Sequence, residues 1–221
     1  MTNSDLSEEQ KNARCPIKYS EEDGLYIPLP SFPEYRLTPW KEEDVEHMIE
    51  LYSQPNVGKW SHSRPFPYTR EYASTILPEF EKHKKYLSLL KASLPNPPNL
   101  ADYPSGKAGP LGALREVSTG KVIGGMNVKL SIFSPGDWDM SYNLHDGFAG
   151  KGIGTEMIKR GVDLARWLGI NRIIAFTEQG NYGSNAVLRK SGFNLHSEHM
   201  VDWPEAKGGG KRAAYAWDQH L

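Results

Sequence analysis

Four glycines fall within nine residues at Gly147-Phe148-Ala149-Gly150-Lys151-Gly152-Ile153-Gly154-Thr155, in a chain where glycine makes up 21 of 221 residues. Behind them Met157, Val162, Ala165 and Leu168 form an apolar stripe with Lys159, Arg160, Asp163 and Arg166 between, which predicts an amphipathic helix over 155–168 that Gly169 can end. Ahead of them, Trp138 to Leu144 reads as a strand. The unit is therefore strand, glycine turn, helix. Glycines let successive N–H groups turn inward and let a ligand approach the backbone, while the free N–H groups and partial positive charge of a helix start favour an anion. A diphosphate is the expected guest; a turn that serves only strand–helix packing is the alternative.

Known spacings narrow the guest. A P-loop needs Ser or Thr after Gly-Lys, but Gly152 follows Gly150-Lys151, so no hydroxyl is placed to hold magnesium. The dinucleotide pattern Gly-x-Gly-x-x-Gly would need a glycine where Thr155 stands, and no acidic residue ends a clear strand about twenty residues later.

Charge and cysteine usage exclude other classes. Lys and Arg total 26 against 27 Asp and Glu, a net charge of −1, without the long-range positive field of a nucleic-acid or anionic-membrane binder. No apolar stretch approaches the roughly 18 residues of a membrane span. Cys15 is the single cysteine, so it makes neither an internal disulfide nor a cysteine-based metal site, and it reads as an inert thiol in a reducing compartment. The acidic start, with Asp5, Glu8, Glu9, Glu21, Glu22 and Asp23, has no apolar signal region. A cytoplasmic protein is expected, with a disordered or extended tail over 1–25 and one domain over 26–221. His196 and His199, three apart in a strand, point to opposite faces and do not make a metal pair; no metal is expected.

Along the chain, Tyr35 to Leu37 reads as a short strand, and Val45, Met48, Ile49 and Tyr52 place a helix within Lys41 to Tyr52. Gln54 to Tyr68 reads as an irregular aromatic loop carrying Trp60, Phe66 and Tyr68. Thr69 can cap a second helix to about His83, kinked at Pro78. Leu94 to Pro110 holds five prolines and two glycines in seventeen residues and reads as an insertion without regular structure or evident chemistry. Leu111 to Val117 and Val122 to Lys129, joined by Ser118-Thr119-Gly120-Lys121, read as a hairpin. Strands near His196 to Trp203 and Ala213 to Trp217 end the chain.

Three separated segments carry a family resemblance. Gly150-Lys151-Gly152-Ile153-Gly154-Thr155-Glu156 resembles the acyl-CoA pyrophosphate loop of the GNAT superfamily of N-acyltransferases. Asn181-Tyr182-Gly183-Ser184 with Val187-Leu188-Arg189-Lys190-Ser191-Gly192-Phe193, and Arg36-Leu37-Thr38-Pro39-Trp40 with Glu42-Glu43-Asp44, resemble segments of its ribosomal-protein N-terminal acetyltransferase-like branch. The resemblance spans roughly Tyr35 to Leu221. It implies an α/β fold with a mixed, mostly antiparallel central sheet flanked by helices, and acetyl-CoA as co-substrate. The loop 149–155 (Ala149, Gly150, Lys151, Gly152, Ile153, Gly154, Thr155) would hold the diphosphate, the strand Tyr142, Asn143, Leu144 would pair with the pantetheine arm, and Asn181 and Ser184 would lie near its thiol end. Two positions depart from the pattern. Ala149 stands where the family has Arg or Gln, and Leu188 where many members have a Tyr acid.

The implied reaction moves acetyl from acetyl-CoA directly to a primary amine, either a peptide N-terminus or a small-molecule amine, in a ternary complex. An amine attacks only when neutral. At pH 7 deprotonation costs about 1.4 kcal/mol for an α-amino group and about 4.6 for a lysine. By its place in the branch's pattern Asp139 is the expected general base, acting through water, with a surface carboxylate as its other reading. Ser184 is the expected donor to the leaving thiolate, and as a helix cap it has a structural role open as well. Trp60, Phe66 and Tyr68 are candidate substrate contacts or a satellite core, in a cleft between the aromatic loop and the last two strands. The chain is expected to act as a monomer or homodimer. A non-catalytic acyl-CoA-binding module is the alternative function.

Overall fold

A computed structural model describes residues 7–221. Helix α1 (Glu8–Arg14) leads into strands β1 (Lys18–Ser20), β2 (Gly24–Pro28) and β3 (Tyr35–Thr38). Helices α2 (Val45–Tyr52), α3 (Pro55–Gly58), α4 (Arg70–Ser74) and α5 (Leu77–Ser93) follow, then β4 (Ala113–Glu116), β5 (Val122–Leu130) and β6 (Trp138–Leu144). The chain finishes with α6 (Ile153–Trp167), β7 (Arg172–Glu178), α7 (Tyr182–Lys190), β8 (Asn194–Asp202) and β9 (Lys211–His220). The nine strands form one sheet in the order β1-β2-β3-β4-β5-β6-β7-β9-β8. Among the described residues only β6 and β7 pair in parallel. This is the mixed, mostly antiparallel α/β architecture that the resemblance implies.

Two apolar clusters cover the sheet. In the larger, Ile153, Met157, Ile158 and Val162 of α6 pack with Ile27, Leu37, Ile123, Met140 and Ile173 of the strands. Helix α6 sits so close that a Cβ on Gly161 would lie 2.4 Å from Met126 Sδ, so glycine there sets the helix–sheet distance. In the smaller cluster, Met48, Leu51 and Tyr52 of α2 pack with Trp40, Ala73 and Phe80. A buried Arg115 fork holds the start of this layer to the sheet: Nη1 donates to Asp44 Oδ1 at 2.9 Å and Nη2 to Oδ2 at 2.7 Å.

Three expectations change. Residues 1–6 of the expected tail lie outside the described residues, but from Ser7 the chain is ordered. Cys15, Ile17 and Leu25 are buried in the larger cluster and β2 pairs with β3. Glu21, Glu22 and Asp23 stand exposed in the turn between β1 and β2, while Leu25, Ile27 and Leu29 alternate inward with the period of a strand. The single helix expected over 69–83 is two. Thr69 caps α4, and Pro78 lies in the first turn of α5, where its missing N–H is tolerated, so it starts a helix rather than kinking one. The segment 94–110 is irregular apart from one 3-10 turn at Leu100–Asp102, yet it is packed down. Glu79 Oε2 accepts from the N–H groups of Lys107 (2.8 Å) and Ala108 (3.1 Å), and Tyr103 stacks edge-on against Tyr86 and Trp138.

Candidate active site

Strands β6 and β7 pair only at Trp138↔Ile173 and Asp139↔Ile174, and beyond these two steps they part. The β5–β6 register says what faces the gap. His145 N–H donates to Ile123 C=O at 2.8 Å, which fixes the alternation of the antiparallel ladder. Asp139, Ser141 and Asn143 direct their backbone groups to β5, whereas those of Tyr142 and Leu144 point toward the β7 side, into the gap. Side chains alternate with the same period. Met140 points at α6, where it lies within 3.0 Å of the Cβ position of Gly161, and Asp139 points to the opposite face.

At the open end of the gap lies the glycine loop. Gly150 and Gly152 have φ of +77° and +92°, conformations that glycine adopts without strain. Gly152 is the N-cap of α6, and no side chain caps it. The first amides of this 15-residue helix therefore have no side-chain cap to accept from them, although Glu156 lies in the first turn. A Cβ on Gly150 would meet nothing within 4 Å, so the surface there is open to a ligand. Lys151 Nζ turns back to Gly147 C=O at 3.0 Å, while Ile153 is buried in the core and offers only its backbone.

A cleft of 1360 Å³ runs without interruption from Gly150, Gly152 and Thr155 past Tyr142 and Ser184 to Asp139 on the other face. Its chemistry changes along that path. Near the middle, Tyr142 Oη lies 2.7 Å from Ser184 Oγ and 3.1 Å from Ser184 C=O. Burial raises the Tyr142 pKa, so the phenol keeps its proton. Ser184 is not the helix cap. Helix α7 starts two residues earlier and Asn181 caps it, its Oδ1 accepting from Ser184 N–H at 3.2 Å, which leaves the serine hydroxyl for Tyr142. Leu188 is fully buried and gives no polar group. Tyr182, at the first turn of α7, is 80% exposed.

Asp139 is buried, and desolvation raises its pKa, opposed by the charge of Lys129 directly across the β5–β6 ladder. No ion pair joins the two. A carboxylate held out of water without a salt-bridge partner is a stronger base than one on the surface. Around it, the face is walled by the segment 59–64 and the β8–β9 end. Lys207 Nζ donates to the carbonyls of Ser61 and Arg64, and His62 Nε2 bonds Asp202 C=O at 3.0 Å with its ring edge-on to Trp203.

Of the three aromatic candidates, only Trp60 lines the cleft. Tyr68 is 2% exposed, stacked between Tyr52 and Tyr72 in the smaller cluster, and Phe66 lies on the Cα of Gly58. Tyr68 is a packing residue, drawn inward where Ser53 Oγ accepts from its N–H at 3.3 Å, and half-buried Phe66 packs on Gly58. Asn143 has its backbone in the β5 ladder, and its side chain accepts from Arg64 Nη1 at 3.3 Å. Sequence reasoning passed over Arg64, Lys107 and Phe176, which line the same cleft. Arg64 stood within the aromatic loop already singled out; nothing local marks the other two. Among the described residues no group of three or more His, Cys, Asp or Glu is placed to hold a metal, and no helix is long and apolar enough to cross a membrane.

Comparison with known proteins was consistent with this geometry. Residues 35–194 match the sequence profile of the acetyltransferase (GNAT) domain, which takes in β3 through the start of β8. A search of curated proteins gave no match. Among solved structures, a ribosomal-protein-S5-alanine acetyltransferase from Vibrio fischeri superposes with a TM-score of 0.61 at 17% identity, over 85% of this chain and 93% of its own. Spermidine N-acetyltransferase from Vibrio cholerae, in complex with CoA and spermine, gives 0.61 at 12% identity, over 85% and 95%. AAC(6')-Ib in complex with ribostamycin and coenzyme A gives 0.54 at 16% identity, over 82% and 90%. These likenesses are of fold. The profile covers most of the chain and includes the glycine loop, the split strands and α7. The chain belongs to the GNAT family of N-acetyltransferases.

Proposed function

We propose that the protein transfers acetyl from acetyl-CoA to a primary amine that attacks directly in a ternary complex. The observation that carries this reading is the single cleft joining an uncapped helix N-terminus, a parted strand pair and a buried carboxylate. The cradle fits the donor: backbone amides of 150–155 face a diphosphate, and Ala149 removes a side chain that the amides do not need. The open backbone groups of Tyr142 and Leu144 suit the amide-bearing pantetheine arm, and Asn181 and Ser184 stand along its path. Acetyl-CoA supplies the thioester acetyl group.

The remaining steps belong to side chains. Asp139 takes the proton of the incoming ammonium through water, and its raised pKa brings its basicity nearer to that task. When Tyr142 donates to Ser184 Oγ, the serine proton is free to reach the departing sulfur. The hydroxyl pair so replaces the acid that Leu188 cannot be. An α-amino group suits this base better than a lysine, by about 3 kcal/mol of deprotonation cost at pH 7. We place the protein in the cytoplasm, where its lone buried Cys15 stays a thiol, acting as a monomer or homodimer.

Calorimetric titration with acetyl-CoA, CoA and ATP tests the donor site, and free-thiol release across peptides, polyamines and arylamines tests turnover. Micromolar acetyl-CoA binding with amine-dependent thiol release is expected. Tight ATP binding without CoA binding overturns the reading.

A further inference from the structure

The face of the cleft opposite α6 carries an unbalanced set of charges. Arg64 lies over the ring of Tyr52 at 3.8 Å and reaches Asn143, yet no carboxylate pairs with it among the described residues. Its backbone is fixed too, since its carbonyl accepts from Lys207. Lys107, delivered by the packed 94–110 segment, and Lys129 line the same face, also without carboxylate partners. The acids there are engaged elsewhere: Asp137 pairs with Arg172 at 2.9 Å, Asp146 accepts from Asn56 at 3.0 Å and Glu178 accepts from Gly180 N–H at 3.0 Å. Asp139 alone remains unpaired.

The other end of this face is apolar. Phe133, on the loop between β5 and β6, and Phe176 of β7 stand edge-to-face at 5.3 Å while remaining 68% and 43% exposed. Ile132 beside them is 76% exposed. Phe176 lies two residues beyond Ile174, the partner of Asp139, so this apolar wall borders the carboxylate, while Arg64 stands at Asn143. Asp139 and Asn143 are four steps apart, about 13 Å along β6, and Phe176, on the parallel β7, stands between their levels.

From this arrangement we infer that the acceptor is an amine carrying both an apolar group and a carboxylate, with Arg64 binding the carboxylate and Phe133 and Phe176 the apolar group. The inference rests on the acetyl-transfer reading above and narrows it. A guanidinium already flattened on an aromatic ring and held by its backbone offers a fixed fork, which suits a planar carboxylate. Polyamines are disfavoured, because their second and third ammonium groups would lie against Arg64, Lys107 and Lys129. The separation favours a carboxylate one residue beyond the amine-bearing one, as in a dipeptide with an apolar first residue, over a free amino acid.

Matched acceptors test this: phenylalanyl-glycine, its C-terminal amide, phenylalanine and spermine, each assayed by thiol release with wild type, Arg64→Gln and Arg64→Lys, with acetyl-CoA affinity measured in parallel. Wild type should use the dipeptide with kcat/KM at least 10-fold above its amide and above spermine. Arg64→Gln should erase that ratio through KM, and Arg64→Lys should restore part of it, with acetyl-CoA affinity within twofold throughout. A preference for phenylalanine over the dipeptide overturns the spacing. A wild-type preference for the amide or spermine, an undiminished ratio in Arg64→Gln, or an equal loss of acetyl-CoA affinity overturns the assignment of Arg64. Acetyl-CoA binding with no turnover of any member overturns the acceptor class and leaves the donor site standing; no acetyl-CoA binding removes the underlying reading and this one with it.

Discussion

On the α6 side of the β6–β7 split, the groups facing the gap are backbone amides from one stretch, 149–155, and one strand, whereas on the other face Asp139, Arg64, Lys107 and Phe176 come from four separate segments. On the proposed assignment the donor side is built by backbone conformation that glycine permits, and the acceptor side by side chains that only tertiary packing brings together. A site of the first kind tolerates side-chain change but not added bulk or altered φ. A site of the second kind is sensitive to each residue and to whatever positions it.

Substitutions can break this contrast, and the largest effect is expected on the acceptor face. Asp139→Asn keeps the shape and removes the base, so kcat should fall on the order of 10³-fold, within the range of general-base contributions, with acetyl-CoA affinity unchanged. A wild-type rate under twofold higher than that of the variant would sink the assignment. The wild-type rate should also fall on acidification through a pKa above the ordinary carboxylate range, because burial raises that of Asp139.

The next largest effect concerns what supports that face. His83 of α5 is buried beside Ala108, and desolvation lowers its pKa to about 4 from 6.5. The folded state therefore binds fewer protons than the unfolded chain, so stability is complete above about pH 6.5 and is lost as pH falls toward 4, by roughly 3 kcal/mol. Urea midpoints at pH 7.5 and 4.5 should differ less in His83→Phe than in wild type; an identical pH dependence would count against it.

On the donor side, Gly152→Asp places both a disfavoured positive φ and a carboxylate at the helix start. Acetyl-CoA affinity should drop about 30-fold, roughly 2 kcal/mol, while Gly152→Ala, which brings only the strain, should lose less. Equal affinities in all three proteins would remove the loop from the donor site. Smallest is the hydroxyl pair between the two faces. Tyr142→Phe and Ser184→Ala should each lower kcat about 5-fold, and the double variant no further, since each breaks the same hydrogen bond. Additive losses would show that the two hydroxyls act separately.

The same contrast explains what the sequence revealed. The glycine cluster, the stripe of α6 and the hairpin of β4 and β5 are local patterns, and each lies within two residues of its expected place. The α/β sheet followed from the resemblance those patterns carried. Arg64 at Asn143, Lys207 on the carbonyls of Ser61 and Arg64, and Phe176 against Phe133 join positions far apart in the chain, and no spacing announces them. Composition misled at the N-terminus, where six acids over Met1 to Gly24 mask the alternation that buries Leu25 and Ile27. For Tyr68 the residue type fitted both substrate and core, and only its stacking between two tyrosines decides.

Lys207 ties two walls of the cleft with one ammonium group, although the segments are more than 140 residues apart. Ordering either wall lowers the conformational entropy still to be lost by the other. An acceptor that touches only the segment 59–64 therefore also quiets the hairpin tip at Gly208, Gly209 and Gly210, and slowed amide exchange at those glycines would report occupancy of a pocket they do not contact.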